Sequence, residues 1–250
     1  MSDNVRRDNR RALPKYLLTI LLFGLLGGVL GFFTGVAGAA GVAETVRQAL
    51  DRVLAVCAPW GIVGSAVVLL GAGWYLYAAA KRRFAAWDGE DEDAMDAAEQ
   101  QLSWALLLTG LVIILDFFFF AASIIYDRFL PDLILFLASV AVLVVLQQKI
   151  VDLERRINPE KRGSVYDMKF QKTWMDSCDE AERAQIGQAS FRAFRTVNVF
   201  CPFLWMALLF LSFVFPIGLM PMVAVLAVWG AMQTVYALEC IRLSKRTGDA

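Results

Sequence analysis

Six long apolar runs decide what this chain can become. They cover residues 16–41, 60–80, 102–125, 130–146, 199–216 and 219–241, each near the ~20 residues that a bilayer-spanning helix requires. A water-soluble helical protein would have to bury all six. Charged residues make up only 19% of the sequence, too few to cover that much apolar surface. In hydrocarbon the backbone must satisfy its own hydrogen bonds, so runs of this length become helices. The expected fold is all-α: a polytopic transmembrane helical bundle, six spans in three hairpins. Its parts are a basic N-terminus at 1–15, spans one to four within 16–146, a cytoplasmic helical subdomain at 147–198, spans five and six within 199–241, and a tail at 242–250.

Orientation follows from the basic residues. With the N-terminus inside, 21 of the 24 Lys and Arg side chains fall on one side, and only Arg47, Arg52 and Arg128 on the other. Basic loops are retained inside, so both termini are expected in the cytoplasm and the protein in the plasma membrane. The formal net charge of zero hides this asymmetry and gives no argument for nucleic acid. Arg-Arg pairs at 6–7 and 10–11, with Ala37-Gly38-Ala39 downstream, have the ingredients of an export signal. The apolar run between them exceeds the usual 7–15 residues, so it is expected to remain as a span.

Several chemistries are excluded. The chain has no histidine, which removes the Ser-His-Asp triad and the H-E-x-x-H zinc site. Its four cysteines (Cys57, Cys178, Cys201, Cys240) have no metal-binding spacing, and only Cys57 falls on the oxidising side, so no intrachain disulfide is expected. No nucleophile–base pair stands out. The expectation is a protein without enzymatic activity, metal or cofactor.

Within the spans, one ionisable residue lies near mid-membrane depth: Asp116, just before four phenylalanines at 117–120. A charge there costs at least ~2.5–3.5 kcal/mol on insertion scales. It is either a proton, cation or substrate contact, or a protonated group hydrogen-bonded to a neighbouring helix, with Gln233 at similar depth as the expected partner. In the first span Gly27, Gly31 and Gly35 recur every four residues, a close-packing seam within the bundle or a face for a second copy. Between spans one and two, Val46, Leu50, Val53 and Cys57 share one side of a short amphipathic surface helix. Residues 88–99 hold seven carboxylates, the composition of a solvated linker.

The interval after span four is the only long polar one. Residues 149–198 carry 10 basic and 8 acidic side chains. The fourth span continues as helix past Lys149, with an Asp152–Arg156 ion pair one turn apart, until Asn158-Pro159 ends it. Tyr166, Phe170 and Trp174 then repeat every four residues beside Lys169 and Lys172, the pattern of a helix lying in the headgroup layer. Ser177 and Glu180 are spaced as a capping box for a second helix, whose apolar side includes Ile186 and Phe194, with Phe191 nearby. These side chains either pack beneath the bundle or dock a soluble or membrane partner by helix-in-groove contacts. Asp96-Ala97-Ala98-Glu99 is faintly echoed by Asp179-Glu180-Ala181-Glu182.

The run Lys169-Phe170-Gln171-Lys172-Thr173-Trp174-Met175-Asp176-Ser177-Cys178-Asp179-Glu180-Ala181-Glu182, followed by Phe191-Arg192-Ala193-Phe194, resembles the cytoplasmic loop of domain-of-unknown-function family 3169. Gly27-Gly28 and Gly31-Phe32 are similar to its first span. The resemblance implies six spans, a Gram-positive plasma membrane and no catalytic residues to carry over. Two functions remain open: an accessory, sensor or regulatory protein docking a partner through the loop, or a small-solute, proton or cation transporter using Asp116. In intact cells a Met175→Cys thiol, in a Cys57→Ser background, should resist an impermeant reagent until the membrane is permeabilised.

Overall fold

The computed structural model describes residues 13–248 apart from 16, 19–20, 23, 26, 30, 37–40 and 126–128. Most of the basic N-terminus expected at 1–15, and parts of the first span, lie outside the described residues. The described positions between 13 and 36 are helical. Then follow α1 (Val42–Ser65), a π-helical turn (Ala66–Leu70), α2 (Gly71–Ala86), α3 (Glu92–Ile125), α4 (Phe129–Ile157), α5 (Phe170–Asp176), α6 (Glu180–Val214) and α7 (Met220–Gly248). No strand occurs among the described residues. Five helices are long and apolar enough to cross a membrane: Trp60–Ala86, Glu92–Ile125, Leu130–Ile157, Glu180–Phe213 and Met220–Leu243. Side chains such as Ile114, Phe117, Val67 and Ile134 stand uncovered along them, as hydrocarbon-facing positions do.

The chain forms two compact units, Ala49–Ile186 and Met1–Gln48 with Gly187–Ala250. In the first, α3 packs against both α2 and α4. Its buried side chains include Ala98, Leu102, Ala105, Thr109, Val112, Asp116 and Ser123. Up to Asp116 the steps alternate between four and three residues, the 3.5-residue period of coiled-coil seams. Small residues in that seam let the neighbours close in. The ring of Phe119 lies where a side chain on Gly61 would sit, 2.1 Å from an ideal Cβ. Leu146 comes within 3.1 Å of the equivalent position on Gly73. Leu70, Ala80, Leu143, Leu146, Ile150 and Leu153 complete the core.

The amphipathic surface helix expected at 44–57 is not a separate element, because α1 runs unbroken from Val42 to Ser65. Once nucleated, a helix gains one hydrogen bond per added residue, and the backbone stays helical through 57–61. Val46, Leu50 and Val53, its expected apolar face, are exposed.

In the second unit Gly27 and Gly31 face the ring of Phe210, each with an ideal Cβ 3.5 Å from it, whereas Gly35 meets nothing within 4 Å. The glycine seam therefore receives an aromatic ring at two of its three positions. Helices α6 and α7 are joined by a turn in which Gly218 has φ +67°. Asn198 Oδ1 accepts from Trp229 Nε1 (2.7 Å) and Gln233 Nε2 (2.6 Å), and Phe194 stacks on Tyr236 at 4.2 Å. Gly61→Ala should cost about 1–3 kcal/mol through overpacking, and Phe119→Ala in the same chain should recover part of that loss. Thermal unfolding of the purified protein reads both.

Candidate functional site

Asp116 is wholly buried, with 0% exposure. Ser65 Oγ, at the last residue of α1, donates to its Oδ1 at 3.1 Å, and Ser139 Oγ on α4 donates to its Oδ2 at 2.6 Å. The carboxyl group thus ties three helical segments at one point. The expected partner, Gln233, donates instead to Asn198. Serine hydroxyls on adjacent helices supply the donors, and they fix few side-chain torsions. Beside this clasp lies a fissure of about 380 Å³ between Ile62, Val67, Leu70, Trp74, Leu135 and Val142, with Ser139 its only hydroxyl.

A second constellation gathers at the polar end of α3 and α4. There three side chains pin the loop that follows α4. Gln148 Oε1 accepts from Ser164 Oγ (3.0 Å) and from the Val165 amide (2.8 Å), while its Nε2 donates to Asp152 (2.8 Å). Asp152 is therefore held by Gln148 one turn earlier, not by the Arg156 that its spacing predicts. Asn158 Nδ2 donates to Glu99 (2.8 Å) and to Glu154 (3.1 Å). Lys161, only 4% exposed, forms an ion pair with Glu182 and lies 3.7 Å from Cys178 Sγ. Burial by itself would lower the Lys161 pKa; the hydrogen bond and charge of Glu182 outweigh it and hold the ammonium above its ordinary value.

Local geometry departs from the sequence reading at two points. The capping box is Asp179 with Glu182: Asp179 Oδ1 accepts from the Glu182 amide (2.7 Å), and Glu182 Oε2 accepts from the Asp179 amide (3.0 Å). Ser177 instead closes α5, accepting from the Arg162 amide and donating to Trp174 O. An aspartate cap two residues later wins because its carboxylate accepts the stronger, charge-assisted bond. The aromatic stripe is also broken, since α5 begins at Phe170 and leaves Tyr166 in a turn. Gly163, at φ +124°, permits this: an ideal Cβ there would sit 2.9 Å from the Phe170 ring.

The pinned loop closes one side of a groove of about 600 Å³. Phe170, Trp174 and Ile186 line it, together with Glu99, Glu154 and Gln147. Phe170 and Trp174 lie 5.6 Å apart, tilted by 49°. Three of the six expected docking residues thus meet in one groove. Tyr166 and Phe191 are exposed, and Phe194 is spent on Tyr236.

The chain belongs to the DUF3169 family. The model of that family, described as a protein of unknown function, matches residues 10–239, nearly the full length. Neither the curated proteins nor the solved structures yield a match. The resemblance read in the loop and in the first span therefore holds over almost the whole chain.

Ser65, Ser139, Gln148 and Lys161 were not singled out by sequence reasoning, and Asn158 only as a helix stop. The serines had one signal, as lone small polar residues inside apolar runs; the others had none for their loop contacts, because the partners Ser164, Glu182 and Glu99 are 16, 21 and 59 residues away. The Lys161–Glu182 pair is fully charged below the ordinary lysine pKa of 10.5. It is lost as pH rises through the raised Lys161 value, and on the acid side once Glu182 takes up a proton. Protease protection of residues 158–182 should therefore show an alkaline step above pH 10.5 that is absent in Lys161→Met. That variant should also lose about 1–3 kcal/mol of stability at neutral pH.

Proposed function

We propose that the chain is a non-enzymatic accessory, sensor or regulatory protein of a Gram-positive plasma membrane, with six spans and both termini inside, docking a partner through residues 147–198. One observation carries this reading. The loop is fixed by Gln148, Asn158 and Lys161, yet it leaves Tyr166 and Met168 uncovered, at 67% and 104% exposure. Ordering such a segment costs about 1–2 kcal/mol per residue in backbone entropy. Large apolar side chains held out on an ordered scaffold are the usual mark of a contact surface.

What weighs against transport through Asp116 is its surroundings. Both carboxylate oxygens are occupied by serine hydroxyls, and the adjoining fissure is almost wholly apolar, so that fissure offers an ion few oxygen ligands among the described residues. A photo-crosslinking residue at 166 or 168 should yield a discrete protein adduct in living cells, whereas one at 114 should yield none. Tyr166→Ala with Met168→Ala should reduce partner recovery about tenfold, and Asp116→Asn should leave it unchanged. The absence of any adduct at 166 and 168 counts against docking.

A further inference from the structure

We propose that the groove at the polar end of α3 and α4 is a binding site for a small organic cation with an apolar body, held by Glu99, Glu154, Phe170 and Trp174. Its volume, about 600 Å³, lies within the range of small-molecule sites. Its walls come from α3 (Glu99, Leu102), α4 (Gln147, Glu154), the loop (Val165), α5 (Phe170, Trp174) and the start of α6 (Ile186). Several elements therefore have to be in place for it to form.

The charge pattern selects the ligand. Two half-buried carboxylates share a single amide donor, Nδ2 of Asn158. No Lys or Arg lines the groove among the described residues. The nearby ammonium of Lys161 is engaged by Glu182 and Cys178. The groove thus holds an excess of negative charge that an anion would aggravate and a neutral ligand would leave uncompensated. A metal ion is a poor fit, because no three His, Cys, Asp or Glu side chains converge among the described residues, and hard cations ask for six or more oxygen ligands. The remaining wall is aromatic and aliphatic. Phe170 and Trp174 supply the π faces that attract alkylammonium groups, and Leu102, Val165 and Ile186 suit an apolar body. Carboxylates and aromatic rings in one enclosure are the complement of an amine or quaternary ammonium ion.

This inference does not rest on the docking reading. It uses purified chain alone, so failure of either test leaves the other standing. The full-length protein, in nanodiscs of neutral phosphatidylcholine, is titrated calorimetrically with phenyltrimethylammonium and, separately, with its neutral isostere tert-butylbenzene. The expected result is saturable binding of the cation at one site per chain, at least tenfold tighter than the isostere. Glu99→Gln with Glu154→Gln keeps the acceptor oxygens for Asn158 but removes the charge, and should weaken binding at least tenfold. Trp174→Ala should weaken it about tenfold, and Trp174→Phe should restore most of the loss. Circular dichroism checks that each variant keeps its helices, and the folded glutamine variant decides the question if Trp174→Ala unfolds. Absence of saturable binding, equal binding of the isostere, or indifference to the glutamine pair overturns the proposal. Saturation by a lysine-rich peptide alone would overturn it in favour of a protein ligand.

Discussion

The alternating four-and-three seam on α3 is the constraint from which the rest of its compact unit follows. A helix that is apolar all round has no preferred side by hydrophobicity alone, and in hydrocarbon there is no water to choose one for it. Shape and a few polar groups choose instead. Ala98 and Ala105 are fully buried along that seam, and Gly61 and Gly73 answer from the facing segments. Thr109 and Asp116 occupy seam positions too, the first accepting from Gln147 across to α4 (3.0 Å). A polar residue in such a seam is satisfied in one register and unsatisfied in the others, so it selects among arrangements that the alkyl groups alone would leave nearly degenerate.

Asp116 and the groove treat carboxylates in opposite ways. At Asp116 each oxygen has a hydroxyl donor and no exposure; the group is spent on holding segments together. At Glu99 and Glu154 one amide serves two carboxylates at the edge of a groove. Residue type alone would have ranked the buried aspartate first, because an acid in an apolar run is so conspicuous. The arrangement of donors reverses that order.

The all-α class was plain in the sequence because run length is a one-dimensional property, and five of its six apolar runs lie in described helices long and apolar enough to cross a membrane. Helix stops were legible wherever a residue acts through its own backbone: Asn158-Pro159 ends α4 at Ile157, and Gly218 lies in the turn before α7. What escaped depends on pairs far apart in sequence. Ser65 and Asp116 are separated by 51 residues, and Asn158 and Glu99 by 59. The seam on α3 escaped for a different reason, since large aliphatic residues occupy both its sides, Leu102 and Val112 buried, Leu106, Leu107 and Leu111 exposed. Its marks are the small and polar residues at fixed steps. The loop was placed in outline and mistaken in detail, because Ser177-x-x-Glu180 and Asp179-x-x-Glu182 compete locally and only the surrounding fold decides between them.

The π-helical turn at Ala66–Leu70 has the geometry of a one-residue insertion that the span absorbed without turning inside out. On either side of it the buried positions advance by three, Ile62 to Ser65 and Leu70 to Gly73, whereas Ser65 to Leu70 is a step of five. In a regular helix, at about 100° per residue, that step would swing Leu70 some 140° away from the line of Ser65. Widening a single turn takes up the surplus. One half of the span can then present Ser65 to Asp116 while the other keeps Gly73 and Ala80 against the core, although no single regular helix with this sequence could do both.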